Sequence, residues 1–168
     1  MLLLLMSFVS WPVVMSNPMV AQEERGIHRI CSGEVLRADR VWGGTNVFFR
    51  PDRTLWVQEI RTGETPLSAR RYSAPVADGR LKELNRLVNE SGFADLSDAT
   101  RGAVPDEAAA TIALTMCNGQ KRRVRQFLRD AAPAFKAVLE WFDQGAAVAK
   151  QSKPCYEGAP PEFAWRPE

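Results

Sequence analysis

Apolar side chains recur at every second position in several short stretches, a pattern that predicts β-strands. The clearest alternation places large apolar residues on one face of a strand: Ile112, Leu114 and Met116. Asn118-Gly119 follows at once, and this pair is a strong signal for a short hairpin turn. The turn predicts a partner strand over residues 121–127.

Four earlier stretches also predict strands, and the second and third of them are rich in β-branched and aromatic residues. They cover residues 28–36, 45–50, 54–61 and 69–74. The second and third flank Pro51-Asp52-Arg53, where proline presets φ for the second position of a turn. These two stretches therefore predict a hairpin, and the fourth predicts a further short strand.

Two later stretches repeat apolar residues at every third or fourth position, which predicts amphipathic helices. The first stripe consists of Leu81, Leu84, Leu87 and Val88, and the second of Phe135, Val138, Leu139 and Phe142. We expect Asp78 to cap the first helix, over residues 79–89. We expect Asp130 to cap the second helix, which accepts Pro133 in its first turn and extends to Ala149.

The order of these elements predicts an α+β fold, with an antiparallel sheet of about five strands and two helices packed on one face. We expect the folded part to be a single domain over residues 28–149, because the chain has no internal repeat and nothing in it suggests a second domain. Residues 150–168 contain four prolines and several aromatic side chains. We expect this segment to be an extended tail that packs on the domain.

The N-terminal segment differs from the rest, because no side chain from residue 1 to 22 is ionisable and residues 2–15 are almost wholly apolar. This pattern predicts a signal peptide over residues 1–21, followed by a polar linker over 22–27. The mature domain would then be extracytoplasmic, either periplasmic or secreted. An uncleaved anchor is the alternative, and only that alternative predicts contact with a membrane.

Three cysteines allow one disulfide and one free thiol in an oxidising compartment. They are Cys31, Cys117 and Cys155, and their spacing does not choose among the three pairings. Chain termini often lie near each other, so the favoured pairing joins Cys31 to Cys155. The alternative is three buried thiols that pack as small apolar side chains.

Composition and charge are those of an ordinary globular domain, with 45% hydrophobic and 25% charged residues. The net charge of +2, from 22 basic and 20 acidic residues, indicates no particular partner and does not favour nucleic acid. Basic residues do cluster over 121–125, in a predicted strand, with Arg129 after it. They fit a solvated edge strand, or alternatively an anion-binding surface.

Residues that could support catalysis are few. His28 is the one histidine, and no metal-ligand, serine-hydrolase or phosphate-loop spacing occurs. The loop acids Asp95, Asp98, Asp106 and Glu107 are typical turn-forming or solvated residues, although a concave pocket that gathered them could support hydrolysis. We therefore expect a protein that is not an enzyme and that has no metal site and no cofactor.

The strongest candidate binding residues form the loop Trp42-Gly43-Gly44-Thr45-Asn46. A tryptophan beside two flexible glycines is typical of a loop that contacts a partner. The structural alternative is a tryptophan packed under the hairpin, with the glycines forming a turn or a bulge.

The order of these motifs resembles that of small exported bacterial domains, and more distantly that of emfourin, an inhibitor of thermolysin-like metallopeptidases. The resemblance covers roughly residues 27–143 and depends on Gly43-Gly44 entering a strand, the Pro51-Asp52 turn, Phe93-Ala94, Pro105-Asp106-Glu107 and the Phe135 helix. Trp42 and Thr45 flank the glycine pair here, whereas emfourin-type sequences have a different context. The resemblance implies the fold and export, and it assigns no inhibitory contact to a numbered residue.

Two functions are expected from these observations. The first is an exported, non-enzymatic domain that binds an unidentified protein partner, because a loop suited to binding occurs without a catalytic set. The alternative, implied by the resemblance, is a proteinaceous inhibitor of thermolysin-like metallopeptidases.

Overall fold

An antiparallel sheet, with seven strands among the described residues, forms the framework of the protein. The computed structural model describes residues 28–38, 43–62, 68–99, 107–159 and 165–167. The strands are β1 (Ile30–Leu36), β2 (Gly44–Phe49), β3 (Thr54–Arg61), β4 (Ser68–Pro75), β5 (Ala109–Met116), β6 (Lys121–Phe127) and β7 (Tyr156–Gly158). They lie in the order β6-β5-β1-β2-β3-β4-β7. The α+β class is confirmed, with more strands than the five expected.

Two helices, α1 (Asp78–Glu90) and α2 (Pro133–Ala149), pack on one face of the sheet, which we call the inner face. Their buried side chains include Leu84, Val88, Phe135, Val138 and Phe142. They pack against alternate strand residues: Val35, Val47, Phe49, Leu55, Val57, Ile112 and Leu114. The period-two and helical stripes read from the sequence thus form one apolar core, whose burial is the main favourable term in folding.

Both helices begin at positions other than the predicted caps. The N-cap of α1 is Ala77 and that of α2 is Ala132, and neither makes a side-chain capping bond. Asp78 is the first residue of α1, and its carboxylate pairs with Arg53 in the β2–β3 turn. Capping by Asp78 or Asp130 was therefore wrong, because the change from extended to helical backbone falls at the alanines.

The disulfide joins Cys31 to Cys117, so the pairing of Cys31 with Cys155 was wrong. Cys31 lies in β1 where its register with β5 shifts by one residue, and Cys117 directly follows β5, leaving their Cα atoms 4.9 Å apart. Cys155 precedes β7, four strand positions away from β1 in the sheet. At about 4.8 Å per strand that is about 19 Å, well beyond the reach of a disulfide.

The other face of the sheet, which we call the outer face, carries no helix among the described residues. Its side chains include those of Glu34, Phe48, Trp56 and Ser73, which are aligned across β1, β2, β3 and β4. Part of the C-terminal tail lies on this face, where the Trp165 ring centroid is 5.8 Å from that of Phe48 and 5.9 Å from that of Trp56. The tail also supplies β7, which pairs with β4 at the sheet edge.

The proposed signal peptide and linker, residues 1–27, lie outside the described residues, as do Trp42 and Asp106. In the part of the chain that is described, neither helix has the length and apolar character of a membrane span.

Candidate binding site

A groove of about 620 Å³ crosses the outer face over β1, β2, β5 and β6. Small side chains form its floor: Ser32, Ala113 and Thr115. Five of its lining residues are basic and one is acidic; the basic ones are Arg50, Lys121, Arg122, Arg123 and Arg166. We call it the basic groove.

The cations of the basic groove differ in how they are paired. Arg166 forms an ion pair with Glu34, with nitrogen–oxygen distances of 2.9 and 3.2 Å. Arg50 lies 3.6 Å from Asp52, and the Arg122 guanidinium donates to the carbonyl oxygen of Leu96. Lys121 and Arg123 are exposed, and no described acidic side chain pairs with either of them. Glu34, the acidic residue that lines the groove, is therefore already paired with Arg166. Lys121 and Arg123 remain free to pair with a ligand.

Strand β6 is an edge strand of the described sheet, as its basic composition indicated. One end of this edge is closed, since the Arg125 N–H donates to Asp98 Oδ1 at 2.7 Å and the Ala99 N–H donates to the Arg125 carbonyl at 2.8 Å. Lys121, Arg123 and Arg125 alternate along the strand and point to the outer face. Lys121 and Arg123 place this positive charge along one side of the basic groove, and Arg125 continues the row toward the end of the strand.

A second cleft, of about 880 Å³, lies at the end of the sheet where β1 leads into β2. Gly43, Gly44 and Thr45 from the predicted binding loop line it, together with Glu107 and Arg125. Asn46 serves a different purpose, because it is 3% exposed and its Oδ1 accepts the backbone N–H groups of residues 37 and 38. Trp42, the residue that suggested binding, lies outside the described residues.

The glycine pair is explained by backbone conformation. Gly43 and Gly44 have φ of 70° and 126°, which favour glycine. A Cβ at Gly43 would collide with the carbonyl oxygen of Ile60 on β3. These glycines therefore let the chain enter β2 close to β3, a conformational role for the pair that needs no partner.

Thr45 lies beside an ion pair on the inner face. Lys150, at the end of α2, donates to Glu59 at 3.0 Å and to the Thr45 hydroxyl at 3.3 Å. Burial opposes ionisation of Glu59, but the hydrogen bond and charge of Lys150 and the charge of Arg61 outweigh it and lower the pKa of this carboxyl. This part of the loop thus anchors α2 to the sheet.

The predicted catalytic candidates occupy different structural positions. His28 exchanges backbone hydrogen bonds with the Asn89 side chain of α1, at 2.8 and 2.9 Å. Asp95 is exposed, and Glu107 lines the second cleft. Asp98 Oδ1 accepts a hydrogen bond from the backbone N–H of Arg125 in β6. No group of three His, Cys, Asp or Glu that could hold a metal ion occurs within the described residues.

Sequence reasoning missed a cluster of aromatic and polar residues on the outer face. The Arg71 guanidinium lies 4.0 Å from the ring centroid of Trp165 and 4.4 Å from that of Tyr156. Gln58, opposite Arg71 in the register, is 0% exposed. Trp56 and Ile60, which alternate with Leu55 and Val57, were the available signal, because apolar residues at both parities of β3 predict a strand buried on both faces.

Cys155 carries the free thiol of the chain and is exposed at the edge of this cluster. Its sulfur lies 3.3 Å from the Arg71 carbonyl oxygen, to which the thiol donates. Burial lowers the pKa of Arg71, although Tyr156 and Cys155 oppose this change. An arginine held in this way stays charged, so the cluster contains a cation that no carboxylate of the described residues neutralises.

Comparisons with known proteins assign no function to this chain, so its function is inferred from the geometry of the site. No protein-family model and no curated protein matches the chain. The resemblance to emfourin-type inhibitors therefore stays a prediction.

Proposed function

We propose that this chain is an exported, non-enzymatic domain that binds the acidic surface of a protein partner through the basic groove. The observation that carries the proposal is the pair of exposed cations, Lys121 and Arg123, beside a floor of small side chains. The carboxylate that could have neutralised them, Glu34, is already paired with Arg166. An acidic side chain from a partner is the chemistry that complements this arrangement.

The mode of binding follows from the exposure of these charges. Exposed ion pairs contribute up to about 1 kcal/mol each and are screened by salt. A row of such charges mainly accelerates association and selects an acidic partner. We therefore expect an affinity that falls steeply as the salt concentration rises.

Export is supported by the disulfide and by the apolar N-terminal sequence. Disulfides such as Cys31–Cys117 form and persist mainly in oxidising compartments. The N-terminal residues have the pattern of a signal peptide. The partner is accordingly proposed to be a protein of the cell envelope or the extracellular medium.

The test is a double charge reversal, Lys121→Glu with Arg123→Glu, compared with a matched reversal of Lys82 and Lys136. The last two residues are exposed on α1 and α2, away from the groove. A partner crosslinked from the native envelope fraction is purified, and its affinity for each variant is measured by calorimetry at low and high salt. The groove variant should bind about tenfold to a hundredfold more weakly, and the helix variant as wild type.

Two results would contradict the proposal. One is equal binding of the partner by the groove variant and the wild type. The other is equally strong, groove-dependent retention of DNA or of anionic lipid vesicles, which would show a general anion-binding surface.

The second candidate function, inhibition of a thermolysin-like metallopeptidase, is supported by the sequence resemblance and by the second cleft, which the Gly43-Gly44 pair lines. It is tested by adding the purified domain at micromolar concentration to such an enzyme. A loss of peptidase activity that increases with the concentration of the domain supports inhibition, and full residual activity contradicts it.

A further inference from the structure

Gln58 has a fully buried side-chain amide with no hydrogen-bond partner among the described residues. It lies in the middle of β3, is 0% exposed, and neither its Oε1 nor its Nε2 makes a hydrogen bond. An unpaired polar group at such a position costs free energy, so native proteins nearly always satisfy it. An unpaired, buried side-chain amide on the outer face therefore indicates that another molecule supplies its hydrogen-bond partner.

Arg71 adds unpaired donors at the adjacent position. Its Cα is the register partner of that of Gln58, so the two side chains share the outer face. The Nε and Nη2 atoms of Arg71 are buried and make no hydrogen bond. The guanidinium instead has aromatic rings of Tyr156 and Trp165 within 4.4 Å of its centre. The rings stabilise the cation through cation–π contacts, but they leave its N–H donors unused.

The donor set indicates the ligand. Two guanidinium N–H groups and one amide NH₂ group supply donors, and a guanidinium matches the geometry of a planar oxyanion with two acceptors. One positive charge neutralises one carboxylate but leaves a phosphate dianion with excess charge in a desolvated site. The neighbouring aromatic rings fit the apolar stem that carries such a carboxylate.

We propose that Arg71 and Gln58 form a carboxylate-binding subsite beneath Trp165 on the outer face. The ligand is a carboxylate of a peptide, either an acidic side chain or a chain terminus, with two oxygens accepting from Arg71 and Gln58. The subsite is distinct from the basic groove and is assigned independently of it. It explains why β3 contains a buried glutamine among apolar residues.

The experiment follows the side-chain amide signal of Gln58 and the indole signal of Trp165 by nuclear magnetic resonance of the purified domain. Three peptides are titrated. The first has one central glutamate and blocked ends, the second is an acetylated alanine peptide with a free terminal carboxylate, and the third is the same alanine peptide with both ends blocked. Either or both of the first two should shift the Gln58 and Trp165 signals, and whichever does identifies the source of the carboxylate. The third should leave the signals unchanged.

Variants separate binding from folding. Arg71→Gln should weaken binding by about tenfold or more, because it removes the charged hydrogen bonds. The matched control is Arg70→Gln, since Arg70 pairs with Glu157 and lies on the opposite face. If Arg71→Gln fails to fold, Gln58→Leu keeps the guanidinium and should still weaken binding.

The double charge reversal Lys121→Glu with Arg123→Glu should bind these peptides as wild type does. A failure of the proposed subsite can therefore be distinguished from a failure of the proposed function. The proposal is overturned if neither carboxylate peptide shifts the two signals. It is also overturned if, in a parallel titration, inorganic phosphate alone shifts them, or if Arg70→Gln weakens binding as much as Arg71→Gln.

Discussion

Single residues on the two faces of the sheet have contrasting roles. Asn46 satisfies two backbone N–H groups of the β1–β2 loop, and Glu59 is held by a cation from α2. Gln58, next to Glu59 in β3 and opposite Asn46 in the register, has a buried side-chain amide that makes no hydrogen bond with the described residues. Side chains that satisfy hydrogen bonds and charges of the fold therefore lie next to Gln58, whose own side-chain amide is left unpaired.

The Glu59–Lys150 pair predicts a pH dependence of stability. The folded pKa of Glu59 lies below its unfolded value, so the unfolded state binds the proton more readily. The stabilisation is complete above the unfolded pKa and is lost as the pH falls through the folded pKa. Lys150→Met should lower the free energy of unfolding at neutral pH by about 0.5 to 1 kcal/mol and reduce its acid sensitivity.

Urea denaturation at neutral and acidic pH measures this effect. Lys153→Met is the control, because Lys153 is exposed just beyond the same helix. An unchanged pH profile in Lys150→Met would show that the pair does not contribute to stability.

Contacts between elements depend on close approach at a few small residues. Gly33 in β1 lies below α2, and a Cβ placed there would be 2.8 Å from Leu114 Cδ2 and 3.1 Å from Phe142 Cζ. The glycine therefore allows α2 to pack closely over the centre of the sheet. Similarly, a Cβ at Gly145 would lie 2.6 Å from Leu55 Cδ2, which explains a glycine within α2.

Replacing Gly33 with alanine should lower the free energy of unfolding by about 1 to 3 kcal/mol, because the added methyl overpacks the contact between β1 and α2. Thermal or urea denaturation measures the change. The control is Gly79→Ala in the first turn of α1, where no atom lies within 4 Å of the added Cβ. That variant should be as stable as wild type or slightly more so. Equal effects at the two glycines would disprove the packing argument.

At the scale of the whole molecule, one disulfide closes a long loop, and both faces of the sheet make contacts with other parts of the chain. The disulfide joins residues 86 positions apart, and it links β1 to the end of β5, which are the third and second strands from the β6 edge. The helices cover the inner face, and the tail contacts part of the outer face through Trp165 and Arg166. The basic groove lies on the part of the outer face that the described tail residues only border, through Arg166 and Pro167.

Removing the disulfide should destabilise the whole domain. Replacing Cys31 and Cys117 together with serine should lower the free energy of unfolding by about 2 to 5 kcal/mol, because a long loop regains its conformational entropy in the unfolded chain. Cys155→Ser should leave the stability unchanged, since its thiol is free and exposed. Denaturation of the three proteins checks this, and a loss in Cys155→Ser equal to that in the double variant would contradict it.

The amino-acid pattern alone determined the fold class, the β2–β3 and β5–β6 hairpins and the two helical stripes, because each depends on residues close together in sequence. The pairing of β5 with β1 depends on tertiary structure, and with it the choice of Cys117 as the partner of Cys31. The same is true of the tail on the outer face, which brings Trp165 to Arg71. Contacts between distant segments depend on which surfaces remain unpaired after the local elements form, and no short-range pattern encodes that choice.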